Sequence, residues 1–166
     1  MKKGFVEMQV LKEMQPEIKV TITKSVDPKD FLKSREGLYV YENDRMENLI
    51  KITPQIAEGN EYALESLELV ADSTDEQIEK SLDRRGFFSE GNAVAIIAEL
   101  ITKQPKGEEG LLLNNGYANL FYTPASVVDV VWSAGHGGWG VGAWGRGGVG
   151  WRAGGRVFSP QLTLDN

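Results

Sequence analysis

A glycine- and tryptophan-rich segment near the C-terminus constrains the fold more than any other feature of this 166-residue chain. Eleven of the twenty-one residues in the range 135–155 are glycine, and all four tryptophans, Trp132, Trp139, Trp144 and Trp151, lie in or beside that range. Glycine weakens a strand interior unless an aromatic ring covers it. The segment therefore predicts either an unusually shaped hairpin core or an exposed aromatic surface.

Alternation within residues 139–144 favours a strand with two different faces. Trp139 and Val141 share one face, whereas Trp144 shares the other with the intervening glycines. We expect one tryptophan to pack in the core and the other to lie across glycines. A platform for stacking a sugar or a base, and an interface with a protein, are the two functional alternatives, since tryptophan is favoured at binding hot spots.

Composition excludes several classes of protein. Hydrophobic residues make up 41% and charged residues 25% of the chain, which is typical of a globular domain. The chain contains no cysteine and one histidine, His136, so we expect no disulfide, no metal site and no cofactor, and we place the protein in the cytoplasm. The N-terminus lacks the apolar run of a secretion signal, and no stretch approaches the ~18 apolar residues of a membrane helix.

The net charge of −6 is concentrated in the first two thirds of the chain. Residues 1–110 carry a net charge of −7 and residues 111–166 a net charge of +1. Residues 58–79 contain eight acids and no base. Because a phosphate-binding surface needs clustered cations, nucleic acid is not expected as a ligand.

Hydrophobic periodicity predicts strands at both ends of the chain and helices between them. Residues 17–24 alternate strictly, with Ile18, Val20 and Ile22 on one face, after a turn near residues 15–16. Ser73 followed by Glu76 predicts a capped helix. The helices are predicted at about residues 74–85 and 89–103, with shorter turns after Asp27 and at residues 45–50. The other strands are predicted at residues 5–11, 38–41, 62–70, 118–122, 127–132, 139–144 and 156–159.

This order predicts one α+β domain over residues 1–166: an antiparallel β-sheet with two helices packed on one face and a C-terminal Gly/Trp-rich β-meander. A β-barrel with the helices at one end is the alternative. The predicted core contains Ile18, Val20, Ile22, Ile78, Leu82, Ile96, Leu100, Phe121, Val128, Val130 and Phe158.

Motifs for catalysis are weak. Two matches to G-x-G-x-x-G, within residues 135–145, are followed by strand-like alternation rather than by the helix that holds a pyrophosphate. His136 lies in a Gly-His-Gly-Gly run, but the chain has no nucleophile elbow G-x-S-x-G. We therefore expect no enzymatic activity, with a hydrolase that uses only carboxylates as the surviving alternative.

Three segments, residues 31–41, 97–105 and 151–159, resemble small bacterial accessory proteins of the kind encoded by phages and other mobile elements. The resemblance covers about a fifth of the chain and assigns no role to any residue. It implies an accessory or inhibitory binding protein rather than a housekeeping enzyme.

The sequence thus predicts a non-enzymatic cytoplasmic protein that acts through contact with a protein partner. The acidic segment 58–79 and the tryptophan–glycine hairpin are alternative contact surfaces, and a carbohydrate- or nucleobase-binding module that uses exposed tryptophans is the competing function. The candidate contact residues are Glu61, Glu65, Glu68, Asp72, Trp139, Trp144, Arg146 and Trp151.

Overall fold

The computed structural model describes residues 9–147 and 150–161. In these residues the chain forms nine strands and four α-helices, and no helix among them is long and apolar enough to cross a membrane. The strands are β1 (Leu11–Thr21), β2 (Leu38–Val40), β3 (Glu61–Leu69), β4 (Ser73–Thr74), β5 (Asn119–Tyr122), β6 (Val127–Ser133), β7 (Gly138–Trp144), β8 (Gly150–Trp151) and β9 (Arg156–Pro160). The helices are α1 (Pro28–Phe31), α2 (Asp44–Ile52), α3 (Asp75–Leu82), which a 3₁₀ turn (Asp83–Arg85) follows, and α4 (Glu90–Lys103).

Seven strands form one open sheet in the order β1-β3-β9-β5-β6-β7-β2, and β4 pairs with β8 separately. The pairings in this sheet are antiparallel except for β5 with β9 and β2 with β7. The fold is therefore mixed α/β with a mostly antiparallel sheet, as predicted in outline. The sheet does not close into the alternative barrel.

Helices α3 and α4, which correspond to the two predicted helices, lie on opposite faces of the sheet, so the prediction that both pack on one face is wrong. Phe121 of β5 belongs to a core cluster that contains most buried residues of α4 and both buried residues of α2. Its neighbours Leu120 and Tyr122 belong to a second cluster, together with Ile78 and Leu82 of α3. Successive side chains of a strand point to opposite faces, so each cluster fills one face. All eleven predicted core residues are buried, but they are divided between these two clusters.

Helix caps appear close to the predicted positions. Ser89, where the second helix was predicted to begin, is the N-cap of α4. The capping box of α3 is formed by Thr74 and Gln77, one residue later than predicted, because Ser73 pairs in the strand β4 and its hydroxyl donates to the carbonyl of Ala71. The last turn predicted for this helix is the 3₁₀ turn Asp83–Arg85.

The C-terminal meander is only partly present. Strands β5, β6 and β7 are consecutive antiparallel neighbours, but β9 lies between β3 and β5 and runs parallel to β5. Val157 and Phe158 of β9 are fully buried, one in each core cluster. Burial on both faces requires a central position in the sheet.

Strand β1 is longer and more irregular than predicted. The turn expected at residues 15–16 is instead a pair of register shifts between Glu13 and Ile18, which keep one strand continuous from Leu11 to Thr21. The strand predicted at residues 5–11 falls mostly on residues 5–8, which lie outside the described residues.

Candidate ligand-binding groove

The tryptophans on the α4 face are structural. Trp139 is 1% exposed, and its Nε1 donates to the carbonyl of Gln104 at 2.6 Å. Trp132 packs edge-on against Trp139, with ring centroids 5.2 Å apart, and its ring lies over Gly107. These two rings therefore join β6 and β7 to the segment that follows α4.

Trp144 points to the opposite face, as the alternation of β7 predicted. Its ring lies over Gly142, where an added Cβ would be only 2.7 Å from the ring. Its Nε1 donates to a carboxylate oxygen of Asp129 at 2.7 Å. Both predicted roles, one tryptophan in the core and one across a glycine, are confirmed.

Trp151 and Asp75 belong to a buried cluster, which we call the Asp75 clamp. Asp75, 1% exposed, accepts hydrogen bonds from the Tyr122 hydroxyl (2.6 Å), the Trp151 Nε1 (2.8 Å) and the Gly147 backbone N–H (2.6 Å). Burial and the neighbouring Asp75 carboxylate raise the pKa of Tyr122 above its usual value. The clamp ties the segment after β7 to the start of α3.

Arg146 reinforces the same attachment. Its guanidinium donates to the carbonyls of Thr123 and Pro124, lies 3.2 Å from a carboxylate oxygen of Glu79 and stacks over the ring of Phe87. Burial raises the pKa of Glu79, and the charge of Arg146 partly offsets that effect. Arg146 and Trp151, both predicted as contact residues, therefore bind other parts of the chain.

The four acids predicted as a docking surface are not brought together on one exposed surface. Glu65 is 1% exposed and pairs with Arg85 at 2.9 Å, so it is not a surface residue. Glu61 is exposed and pairs with Lys19, whereas Glu68 is half-buried and lies opposite β9. Asp72 is exposed and accepts from the backbone N–H of Ala153. Glu65 and Glu68, three residues apart in β3, face opposite sides of the sheet.

A groove opens on the α3 face of the sheet, over the half that α3 does not cover. It has a volume of about 760 Å³, within the ~300–1,000 Å³ typical of ligand sites. We call it the tyrosine groove. It is formed by residues 34–37, Tyr39, Tyr41, Asp129, Val131, Ser133, His136, Gly138 and Gly140.

Glycines of β7 form the floor of the tyrosine groove, where side chains would otherwise fill the space. Gly138 pairs with Ser133 and Gly140 with Val131, so these glycines share the groove face with the outward residues of β6. A Cβ at Gly138 would lie 2.8 Å from the backbone of Gly37, so only glycine fits beneath that loop. The groove is therefore a product of the same glycine-rich segment that the sequence singled out.

Two tyrosines form the wall of the groove. Tyr39 is 57% exposed and Tyr41 46% exposed, and their rings meet edge to face at 89° with centroids 4.7 Å apart. Tyr41 also lies 5.7 Å from the ring of Trp144 and covers Gly140. Neither tyrosine was among the predicted contact residues. Strand alternation would have indicated them, because burial of Leu38 and Val40 on one face places Tyr39 and Tyr41 on the other.

Polar groups lie along the opposite side. Asp129 is half-buried, and burial raises the pKa of its carboxyl, while hydrogen bonds from the Trp144 Nε1 and the backbone N–H of Gly142 act in the opposite direction. The Oγ of Ser133 lies 2.8 Å from the Nδ1 of His136, three residues later in the same turn. This contact closes a turn between β6 and β7.

The edge of the sheet beside the groove is closed. The outward N–H and C=O of Leu38 bond to the backbone of Arg35, and the N–H of Val40 donates to the Ser34 hydroxyl at 2.9 Å. These bonds occupy the groups that an added strand would use. A ligand therefore reaches this region through the open face of the groove.

Comparison with protein-family models, with curated proteins and with solved structures gave no match. Within residues 9–147 and 150–161, no three metal-ligating side chains lie close enough to hold a metal ion. The proposal of a function therefore rests on the residues of the tyrosine groove.

Proposed function

We propose that this chain is a non-enzymatic cytoplasmic binding protein that holds its ligand in the tyrosine groove. The observation that carries the proposal is a pair of exposed tyrosines, Tyr39 and Tyr41, held against each other above a glycine floor and opposite the Asp129 carboxylate. A concave, mainly apolar surface with a few fixed polar groups is the usual form of a ligand site.

The geometry favours this groove over the surfaces expected from the sequence. Trp139 is in the core, and Trp144, Trp151 and Arg146 are bound within the chain. Among the described residues, the exposed aromatic side chains are those of Tyr39 and Tyr41. Their contact with each other restricts their motion, so less side-chain entropy is lost when a ligand binds.

A protein partner is the second candidate occupant, in keeping with the accessory role that the sequence resemblance implies. Exposed tyrosines are enriched in protein interfaces, and Tyr39 is more than half exposed. The closed edge of β2 argues against binding by strand addition, so such a partner would place a side chain or loop in the groove.

The test compares the wild-type protein with a Tyr39→Ala/Tyr41→Ala variant against three panels: glycans, nucleosides and proteins of the host lysate. Ile52→Ala is the matched control, because Ile52 is also exposed but lies at the end of α2. We expect at least one ligand to bind the wild type and the control, and to bind the double variant about tenfold more weakly or worse. Ligands that bind all three proteins equally, or no ligand at all, would refute the proposal.

A further inference from the structure

We infer that the ligand of the tyrosine groove is an uncharged saccharide that stacks on a tyrosine ring and directs its hydroxyl groups to Asp129, Ser133 and His136. This inference rests on the proposed function and adds the chemical class of the ligand. It follows from the arrangement of the rings, from the polar groups opposite them and from the charge of the lining.

The ring geometry favours a ligand with one apolar face. Tyr39 and Tyr41 meet at 89°, so they do not form the parallel slot that would enclose a flat base on both sides. A pyranose ring has C–H groups on one face and hydroxyl groups around its edge, so it needs only one aromatic surface. Both tyrosines retain about half of their surface for such a contact.

The polar side of the groove suits hydroxyl groups, which both donate and accept hydrogen bonds. Asp129 is held in place by the Trp144 Nε1 at 2.7 Å, and a carboxylate has about four acceptor positions, so it retains capacity for ligand hydroxyls. Ser133, four residues further along β6, and His136 add a hydroxyl and an imidazole at another point of the groove. Together they offer both acceptors and donors within one groove.

The charges of the lining disfavour phosphorylated ligands. Among the described residues that line the groove, Arg35 is the only permanent cation. Its guanidinium donates to the carbonyls of Phe31 and Lys33 and stacks on the Phe31 ring. Glu36 and Asp129 are both acids. A nucleotide would therefore bring its phosphates to a lining with two carboxylates and one guanidinium that already binds backbone carbonyls.

An alkylammonium ligand fits the rings poorly. Aromatic cages hold a cation over several ring faces that converge on it, within about 6 Å of each centroid. Tyr39 and Tyr41 instead touch each other, with centroids 4.7 Å apart, so no cation fits between them. An uncharged polyhydroxyl ligand is the class that satisfies all three features.

The experiment has two parts. Wild-type protein is screened on an array of neutral and acidic glycans, and each ligand found is titrated by calorimetry against Tyr39→Ala/Tyr41→Ala, Asp129→Asn and the control Ile52→Ala. We expect a neutral glycan to bind wild type and control equally, and each groove variant to bind it about tenfold more weakly. Affinity should be unchanged between 0.1 and 1 M NaCl, where the Debye length falls from ~10 Å to ~3 Å.

The second part uses only the wild-type protein, so it does not depend on the folding of any variant. In an amide NMR spectrum of the wild type, the saccharide should shift the signals of Gly138 and Gly140 in the groove and leave those of Gly59 and Gly116 unchanged. Gly59 and Gly116 are exposed turn glycines outside the groove and serve as internal controls.

The outcomes separate this inference from the proposed function. A nucleoside, trimethylammonium compound or protein that binds in a tyrosine-dependent way, while every glycan fails, overturns the saccharide and leaves the groove as the site. A glycan that binds without shifting Gly138 and Gly140 overturns the assigned site. No ligand of any class at the groove overturns both.

Discussion

The α3 face of the sheet has two halves, and the same glycine- and tryptophan-rich segment contributes to both. In the covered half, the Asp75 clamp and Arg146 attach that segment to α3, and the polar groups of Trp151 and Tyr122 are satisfied inside the protein. In the open half, glycines form the floor of the tyrosine groove, and Tyr39 and Tyr41 remain exposed. In the covered half, the aromatic residues beside glycines thus contribute to stability. In the open half, Tyr39 and Tyr41 are available for binding.

The largest expected effect is the loss of the clamp. Asp75→Asn replaces an acceptor of three hydrogen bonds with a group that itself donates, so buried donors lose their partners. We expect the free energy of unfolding to fall by about 3–5 kcal/mol. Urea unfolding followed by tryptophan fluorescence measures the change.

Asp72→Asn is the matched control for the clamp. Asp72 also accepts from a backbone N–H of the C-terminal segment, but it is exposed, so we expect a loss below about 1 kcal/mol. Equal losses in the two variants would contradict the distinction between a clamped and an open half.

A pair of glycine variants tests the boundary between the two halves. Gly142→Ala places a Cβ 2.7 Å from the Trp144 ring and should displace that ring from Asp129, at a cost of about 1–3 kcal/mol. At Gly140 the nearest atoms are 3.8 Å away, so Gly140→Ala should change stability by less than about 1 kcal/mol. Thermal unfolding distinguishes the two, and a destabilised Gly140→Ala would show that the groove floor is packed rather than open.

The pH dependence of stability should respond to Asp129. Because burial raises the pKa of its carboxyl in the folded state, the folded protein binds this proton more tightly than the unfolded chain. The contribution of this carboxyl to the free energy of unfolding therefore falls as the pH rises from about 3.9, the ordinary pKa of aspartate, through the pKa of Asp129 in the folded state. Asp129→Asn removes that slope, so its stability relative to wild type should increase with pH over this window.

The midpoints of urea unfolding, measured from pH 3.5 to pH 7, test this effect. It arises from one carboxyl and should be smaller than the losses expected for Asp75→Asn and Gly142→Ala. A constant difference between wild type and Asp129→Asn across this range would contradict the assigned cause.

The smallest effect on stability is expected in the groove wall. Tyr39→Ala should change the free energy of unfolding by no more than about 0.5 kcal/mol, because most of the ring is exposed and surface substitutions act on this scale. The measurement is urea unfolding, alongside the binding assays described above. A loss of several kcal/mol would show that Tyr39 is a structural residue and would weaken its assignment to a ligand.

Several features of the fold follow from short stretches of sequence. Strand alternation placed Ile18, Val20 and Ile22 in the core and set Trp139 and Trp144 on opposite faces. The spacing of the apolar residues from Ala93 to Ile101 located α4. These signals depend on backbone geometry within a few residues, so the amino-acid sequence alone determines them.

Other features depend on contacts between distant segments. A period of two residues shows that a strand has two faces but not which helix covers each, so the placement of α3 and α4 was decided by long-range packing. The burial of Glu65 with Arg85, the insertion of β9 between β3 and β5, and the uncovered half of the sheet have the same origin. The tyrosine groove exists because α3 packs towards the β1 side of the sheet and leaves the part of this face around Tyr39, Tyr41 and Gly140 uncovered, and only the tertiary structure decides which part of a sheet a helix covers.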